Sequence, residues 1–332
     1  MIYLFFFEIL IIYLTISICS KNSNIITKFI PAIDYPNKRK LHKKPTPLIG
    51  GIILILIIIL SLLFNYLFFN SEIYYEILVI SLIAFVLGLV DDIRDLSPYL
   101  KLSALFMIIF FFLYLNNQYI IKDIYLMTID RTFYLKDISI FFTILCLLLL
   151  INSSNMTDGI SGLFLGIYII FFSYLEISNL GINIFNFSII ISLIFLLYFN
   201  FRNYFFMGDS GVFLLTILFA FQLINSYYSP NNSINSIEEI FILLMLPGID
   251  MFRIFLERLI NRKNPFKPDR NHFHHLLQKK FSNIKLLFFY FGLIILPLIL
   301  YKLNTLSSLS IIFIFSFIYL FIILYFKTNQ KN

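Results

Sequence analysis

The chain has 332 residues, of which 60% are hydrophobic and 13% are charged. Soluble domains average about 45–50% apolar and 25% charged residues, so this composition excludes a soluble globular protein and indicates an integral membrane protein. The formal net charge of +7 comes mostly from Lys and Arg in the loops of one side and requires no nucleic acid as a partner. Cys19 and Cys146 both lie in apolar runs, which predicts neither a disulfide framework nor a metal site.

Long apolar runs recur along the whole chain and predict transmembrane helices rather than a β-barrel. The first run carries Glu8 and lacks a basic start, so we expect a retained span and no cleaved signal peptide. The predicted fold class is all-α, a polytopic integral membrane protein with about eleven spans and a single domain over residues 1–332. The predicted spans are 1–19, 48–69, 73–90, 99–115, 137–151, 160–178, 184–199, 210–228, 237–258, 286–301 and 307–326.

The distribution of Lys and Arg predicts the orientation of these spans. The loops after the odd-numbered spans, together with the C-terminal tail, hold roughly five times as many Lys and Arg residues as the other loops, and such loops stay in the cytoplasm. The N-terminus is therefore expected outside and the C-terminus in the cytoplasm.

Polar residues are concentrated in five stretches, all on the predicted cytoplasmic side. We therefore expect the chemistry of this protein to reside in its cytoplasmic loops. The stretches are DYPNKRKLHKKPTPLIGG (34–51), DDIRDLSPYLKL (91–102), NSSNMTDGISGL (152–163), NFRNYFFMGDSG (200–211) and NPFKPDRNHFHHLL (264–277).

Acidic side chains in three of these stretches are candidate ligands of a divalent cation. Asp91 and Asp95 share a face if the segment is a helical turn, and carboxylates this close repel unless a cation lies between them or one is protonated. Asp158 and Asp209 stand beside glycines, in turns that let the backbone approach a ligand. Carboxylate oxygens of this kind suit Mg²⁺. For each cluster alone, capping of a helix end at the interface is an equal alternative.

Basic and polar side chains complete the set. Anchoring at the membrane surface is an alternative explanation for the basic run around Lys43 and Lys44, but it does not explain three histidines between 272 and 275. A zinc site is disfavoured, because His residues two apart point to opposite sides of a helix and no Cys accompanies them. Asn155 and Asp158 are three residues apart and share a helix face. Acids, phosphate-binding cations and amides at one membrane surface together favour phosphoryl transfer.

The five stretches resemble, in order, the motifs of the polyprenyl-phosphate N-acetylhexosamine-1-phosphate transferases, which form glycosyltransferase family 4. The resemblance covers residues 34–277. The sequence PFKPDRNHFHH is similar to the last cytoplasmic loop of the branch that uses UDP-N-acetylglucosamine. The phospho-MurNAc-pentapeptide transferases of peptidoglycan synthesis are the alternative within the same superfamily.

The resemblance implies that HexNAc-1-phosphate, in the first place GlcNAc-1-phosphate, passes from UDP-HexNAc to undecaprenyl phosphate with release of UMP. It implies Mg²⁺ or Mn²⁺ as the cofactor and the lipid of the bacterial inner membrane as the surroundings. The product would prime a surface polysaccharide such as the O-antigen of lipopolysaccharide. The oligomeric state is left open, a homodimer included.

Roles for individual residues also follow from the resemblance. Asp209 is expected to be a metal ligand, and Asp91 and Asp92 are expected to bind metal or to orient and deprotonate the lipid phosphate. Asp158 is expected to help the metal site or to contact the nucleotide. The residues expected to bind the nucleotide, its diphosphate or the sugar are Lys43, Lys44, Asn155, Arg270, His272, His274 and His275.

Two departures from the family pattern stand out. Ser161 occupies the position of a second acid that members usually carry, and a serine cannot replace the charge of a carboxylate. The Pro and Lys that often precede the Met-Gly-Asp turn are missing, and Arg202 is the nearest cation.

Two other classes of protein are weaker explanations. A membrane prenyltransferase would need a second Asp-rich motif. A transporter would place ionisable residues near the midplane in both halves of the chain, whereas these charges gather at one surface.

Overall fold

The structure is a computed structural model. It describes residues 2–36, 44–69, 75–178, 183–229, 234, 236–264 and 271–328. Two predicted site residues, Lys43 and Arg270, lie outside the described residues.

The described residues are almost entirely helical, which confirms the predicted all-α class. A π-helical turn, Asn65–Phe69, extends the third helix, and two short antiparallel hairpins are the only sheets in the described ranges. The α-helices are α1 Ile2–Lys21, α2 Ser23–Phe29, α3 Gly50–Phe64, α4 Tyr75–Arg94, α5 Pro98–Leu115, α6 Ser139–Thr157, α7 Leu163–Ser178, α8 Ile184–Phe201, α9 Gly208–Tyr228, α10 Ile237–Ile260, α11 Phe273–Gln278, α12 Asn283–Lys302 and α13 Ser308–Thr328. The strands are β1 Ile33–Asp34 paired with β2 Thr46–Pro47, and β3 Asp123–Leu126 paired with β4 Arg131–Tyr134.

A helix occupies each predicted span. Within the described part of the chain, 8 helices are long and apolar enough to cross a membrane, so this is a membrane protein. The remaining predicted spans correspond to α7, which has 16 residues, and to α4 and α10, which carry charged residues near their ends. The number of spans and their orientation stay predictions.

The chain divides into two compact units. The first comprises Met1–Ile120 and Thr143–Ser233, and the second comprises Ile121–Phe142 and Ile234–Asn332. Helix α9 is the buried centre of the first unit. Helices α10 to α13 and the β3–β4 hairpin form the second. The assignment of residues 1–332 to one transferase domain stays a prediction.

The last turn of α4 departs from the sequence-based expectation. The helix continues past residue 90 to Arg94, so Asp91 lies on its last turn. Asp95 then adopts the left-handed conformation with φ 51°, and the Leu96 N–H donates to the Asp91 carboxylate at 2.8 Å. The prediction that Asp91 and Asp95 share a helix face was therefore wrong, because the helix ends between them.

Small residues let the start of α9 approach its neighbours very closely. The backbone N–H of Gly50 donates to the Phe206 carbonyl at 3.0 Å, and that of Gly51 donates to the Met207 carbonyl at 3.1 Å. A Cβ built on Gly88 of α4 would lie 2.5 Å from the backbone oxygen of Asp209. These glycines therefore fix how close the amino end of α9 lies to α3 and α4.

We expect Gly88→Ala to destabilise the protein by about 1–3 kcal/mol, since the added methyl group must push the backbone of α9 away from α4. Thermal unfolding of the purified protein in detergent measures this loss. Gly292→Ala is the matched control, because a Cβ at Gly292 meets nothing within 4 Å and alanine is the better helix former. Equal melting temperatures for Gly88→Ala and the wild type would contradict the close contact.

Candidate active site

Carboxylates from three separate stretches meet at the amino end of α9. Asp92 on the last turn of α4 accepts the N–H of Asp209 at 2.8 Å and that of Ser210 at 3.1 Å. Asp158, which directly follows α6, accepts the N–H of Gly208. The unpaired N–H groups and the positive end of the helix dipole favour anions at this position. Hydrogen bonds to the N–H groups at the start of α9 therefore hold Asp92 and Asp158 close to Asp209.

Lys101 on the second turn of α5 joins the remaining acids. Its ammonium group lies 2.5 Å from the Asp91 carboxylate and also contacts Asp209. Asp91 and Asp209 are both largely buried, so their two ion pairs with Lys101 are shielded from solvent. Lys101 therefore neutralises part of the charge of a cluster that contains four carboxyl groups.

The pKa of Asp158 reports the electrostatic environment of the cluster. Burial raises the pKa of its carboxyl group well above the usual range, and the nearby carboxylates of Asp209, Asp92 and Asp34 raise this pKa further. Like charges that share a site resist simultaneous ionisation. The cluster therefore holds more carboxyl groups than Lys101 can neutralise, and a bound cation would favour their ionised forms.

Two predicted polar stretches are tied together beside the cluster. The Asn200 side chain accepts the N–H of Gly162 at 2.7 Å and donates to the Phe205 carbonyl at 2.9 Å. The Ser161 hydroxyl donates to the Asn203 side chain at 2.9 Å. Ser161 thus holds one turn against the other. Asn155 lies half-buried on the last turn of α6.

The stretch 34–51, which contains Lys43 and Lys44, contacts the turn before α9 through a backbone hydrogen bond. Pro47 accepts the N–H of Phe206 at 2.9 Å, so the segment after Lys44 is attached to the turn that leads into α9. Lys44 itself is exposed.

The histidines belong to the second unit. His272 lies in extended backbone just before α11, and its Nδ1 is 3.0 Å from the Asp250 carboxylate. The rings of His272 and His274 are parallel within 7° at 5.6 Å. The expectation that they point to opposite sides was therefore wrong, because the helix begins only at Phe273. Burial holds the pKa of His274 well below its usual range, and His275 is half-buried.

The carboxylates of the cluster are candidate ligands for a divalent cation. Among the residues that the structure describes, no three His, Cys, Asp or Glu side chains have the arrangement of a bound metal ion. In chemical terms the set fits, because several carboxylates share one cluster and an ammonium group already lies between Asp91 and Asp209. Hard oxygen donors are the ligands that Mg²⁺ prefers. Asp92 contributes less freely, since both its oxygens already accept backbone N–H groups.

Sequence reasoning did not select Lys101, Asp34 or Asp250. Lys101 lies in the stretch 91–102, which also contains three acids and Arg94, and a cation in such an acidic stretch was an available signal. Asp34 is the first residue of the stretch 34–51. Asp250 lies inside α10 and outside all five polar stretches, and only its contacts reveal it.

Residues 74–227 match the model of glycosyl transferase family 4, a range that includes all four carboxyl groups of the cluster. An undecaprenyl-phosphate alpha-N-acetylglucosaminyl 1-phosphate transferase of Yersinia pestis is 27% identical over 299 residues, which cover 84% of this chain and 76% of that protein. The protein of the same name from Thermotoga maritima is 27% identical over 268 residues, 80% and 79% of the two chains. A probable undecaprenyl-phosphate N-acetylglucosaminyl 1-phosphate transferase of Bacillus subtilis is 27% identical over 260 residues, 75% and 70%.

Proposed function

We propose that this protein, whose residues 74–227 match the model of glycosyl transferase family 4, transfers HexNAc-1-phosphate from a UDP-sugar to undecaprenyl phosphate and releases UMP. GlcNAc-1-phosphate is the favoured group, as the names of the relatives support. The observation that carries the proposal is the meeting of Asp91, Asp158 and Asp209 with Lys101 around the start of α9.

The reaction exchanges one phosphoanhydride bond for another. An oxygen of the lipid phosphate attacks the β-phosphorus of the UDP-sugar, and the bond between that phosphorus and the bridging oxygen breaks, so UMP leaves with that oxygen. Both substrates carry negative charge throughout. Catalysis therefore depends on positioning and charge neutralisation more than on covalent chemistry by the protein. We propose direct attack without an aspartyl intermediate.

The residues divide this work. Asp209, Asp91 and Asp158 would hold Mg²⁺ or Mn²⁺, which supplies charge neutralisation on the diphosphate when bound. Asp92 fixes the start of α9 through two backbone hydrogen bonds. Lys101 neutralises part of the charge of Asp91 and Asp209 and offers a cation to a phosphate oxygen. Lys43 and Lys44, with Asn155, remain proposed contacts of the nucleotide.

The histidine segment is proposed to recognise the donor. His272, His274 and His275, together with Arg270, would bind the diphosphate or the sugar of the UDP-HexNAc. We further propose that the protein lies in a bacterial inner membrane with its N-terminus outside and its site in the cytoplasm. Its product would then prime synthesis of a surface polysaccharide.

Membranes that contain the protein, supplied with undecaprenyl phosphate and a panel of labelled UDP-sugars, test the function. We expect labelled lipid and UMP in equal amounts from UDP-GlcNAc when Mg²⁺ is present, and background levels when EDTA has removed the divalent ions, because the site carries excess negative charge. Membranes without the protein are the control. Labelled lipid at full yield without any divalent ion would contradict the proposed cofactor, and no labelled lipid from any sugar would contradict the function.

A further inference from the structure

Asp250 is the centre of a buried polar network in the second unit. It lies on α10 with 4% of its surface exposed. Its carboxylate accepts the Phe273 N–H at 3.1 Å, the Tyr319 hydroxyl at 2.7 Å and the Arg253 guanidinium at 2.7 Å, and it lies 3.0 Å from Nδ1 of His272. One side chain therefore joins α10, α13 and the backbone just before α11.

Arg253 also binds the backbone just before α11. Its guanidinium donates to the backbone carbonyl of Asn271 at 2.8 Å and to Glu257 at 2.9 Å. Glu257 in turn accepts from Lys327 of α13 at 2.6 Å. The segment before α11 is thus held on both its backbone N–H and its backbone carbonyl by side chains of α10.

A buried ion pair is a costly way to stabilise a fold, since well-packed apolar residues of similar size often do so equally well. Fully satisfied polar networks instead impose a unique geometry. Here the geometry imposed is that of His272. A carboxylate can only accept a hydrogen bond, so Nδ1 of His272 carries the proton and any ligand contact must use Nε2.

The orientation of the His272 ring also affects the packing of His274. The His274 ring is parallel to that of His272 and is 1% exposed. Within the described part of the chain, its buried Nε2 has no hydrogen-bond partner. A displaced His272 ring would therefore remove the surface against which His274 is packed.

We propose that Asp250 is a positioning residue for the donor-binding histidines. It holds His272 in the Nδ1-protonated form and fixes residues 271–274 on α10, so that Nε2 is the ring nitrogen left to bind the UDP-sugar. The inference rests on the proposed function for the identity of the ligand, and on the contacts of Asp250 alone for the positioning.

The first test reads the tautomer directly. Protein labelled with ¹⁵N-histidine gives nitrogen signals that distinguish a protonated from an unprotonated ring nitrogen, and His272→Gln assigns the signal. We expect the Nδ1–H form in the wild type, and a shift toward the Nε2–H form in Asp250→Asn, because an amide group can donate to Nδ1. An Nε2–H form of His272 in the wild type would overturn the proposal whether or not the protein is a transferase.

The second test separates positioning from stability. We expect Asp250→Asn to raise the KM for the UDP-sugar roughly 10–100-fold, by analogy with the loss of a carboxylate that orients a metal-ligating histidine, while the KM for undecaprenyl phosphate stays within about twofold. Glu239→Gln is the matched control, because Glu239 is also buried on α10 but pairs with Lys302 at 2.8 Å. A KM for the UDP-sugar that is unchanged in Asp250→Asn, or raised equally in Glu239→Gln, would refute positioning.

Tyr319→Phe serves if Asp250→Asn does not fold. It removes one of the four donors to Asp250, so a smaller rise of the same KM is expected, and no rise would count against the proposal. A wild type that makes no lipid product while showing the Nδ1–H form would refute the proposed function and leave the positioning supported.

Discussion

Asp209→Asn is expected to reduce UMP release roughly 100–1,000-fold, the usual effect of removing one group that stabilises charge in a transition state. Asp209 lies in the first turn of α9, where its carboxylate contacts Lys101 and its N–H binds Asp92. The amide keeps the size of the side chain and the backbone hydrogen bond but removes the charge. Single-turnover assays with labelled UDP-sugar, together with thermal unfolding, measure the effect on chemistry and on folding.

Asp95→Asn is the control for this experiment. Asp95 belongs to the same acidic stretch as Asp91, but it is exposed and follows the end of α4. Its backbone is left-handed, a conformation that asparagine tolerates well. We expect activity within about twofold of the wild type. Equal losses from Asp95→Asn and Asp209→Asn would show that any acid of this region matters through its charge alone. Unchanged transfer by Asp209→Asn would refute the proposed role of Asp209 as a metal ligand.

The helices could be predicted well from the sequence because their signal is local. Apolar length alone defines a span in a membrane, and every predicted span contains a helix. What failed was the last turn of α4 and the start of α11, where the end of a helix is set by hydrogen bonds to side chains. Asp91 ends α4 by accepting the Leu96 N–H, and no periodicity in the sequence reports such a contact.

The site was predicted in part for a similar reason. The acids were found because Asp beside Gly or beside another Asp is unusual in an apolar chain. Their convergence, however, depends on close packing at Gly51 and Gly88, which sequence periodicity does not specify. Asp250 could not be selected at all, because an acid three residues before an arginine in a helix is equally typical of a structural ion pair. Its significance lies in the number of its partners, which come from distant parts of the chain.

Lys101→Met is expected to have the second-largest effect, a loss of roughly 10–100-fold in kcat/KM together with a lower melting temperature. Removing one partner of a buried ion pair leaves the other charges uncompensated, which costs about 3–5 kcal/mol. Methionine preserves most of the length and packing of the side chain, so the change is chiefly one of charge. Lys101→Arg is the matched control and is expected to retain more activity, although a planar guanidinium cannot reproduce a compact ammonium group between two carboxylates.

The dependence on the divalent ion distinguishes two roles for Lys101. If the ammonium neutralises the carboxylates, as its contacts with Asp91 and Asp209 indicate, Lys101→Met leaves a more negative site. The concentration of Mg²⁺ that gives half-maximal activity should then fall, while the KM for undecaprenyl phosphate rises, because the cluster attracts cations more strongly and repels phosphate. Titrations with Mg²⁺ and with undecaprenyl phosphate, on the wild type, Lys101→Met and Lys101→Arg, measure these opposite shifts. A higher Mg²⁺ requirement in Lys101→Met would instead mean that Lys101 holds the metal-binding carboxylates in place, since its loss would then disorganise the ligands.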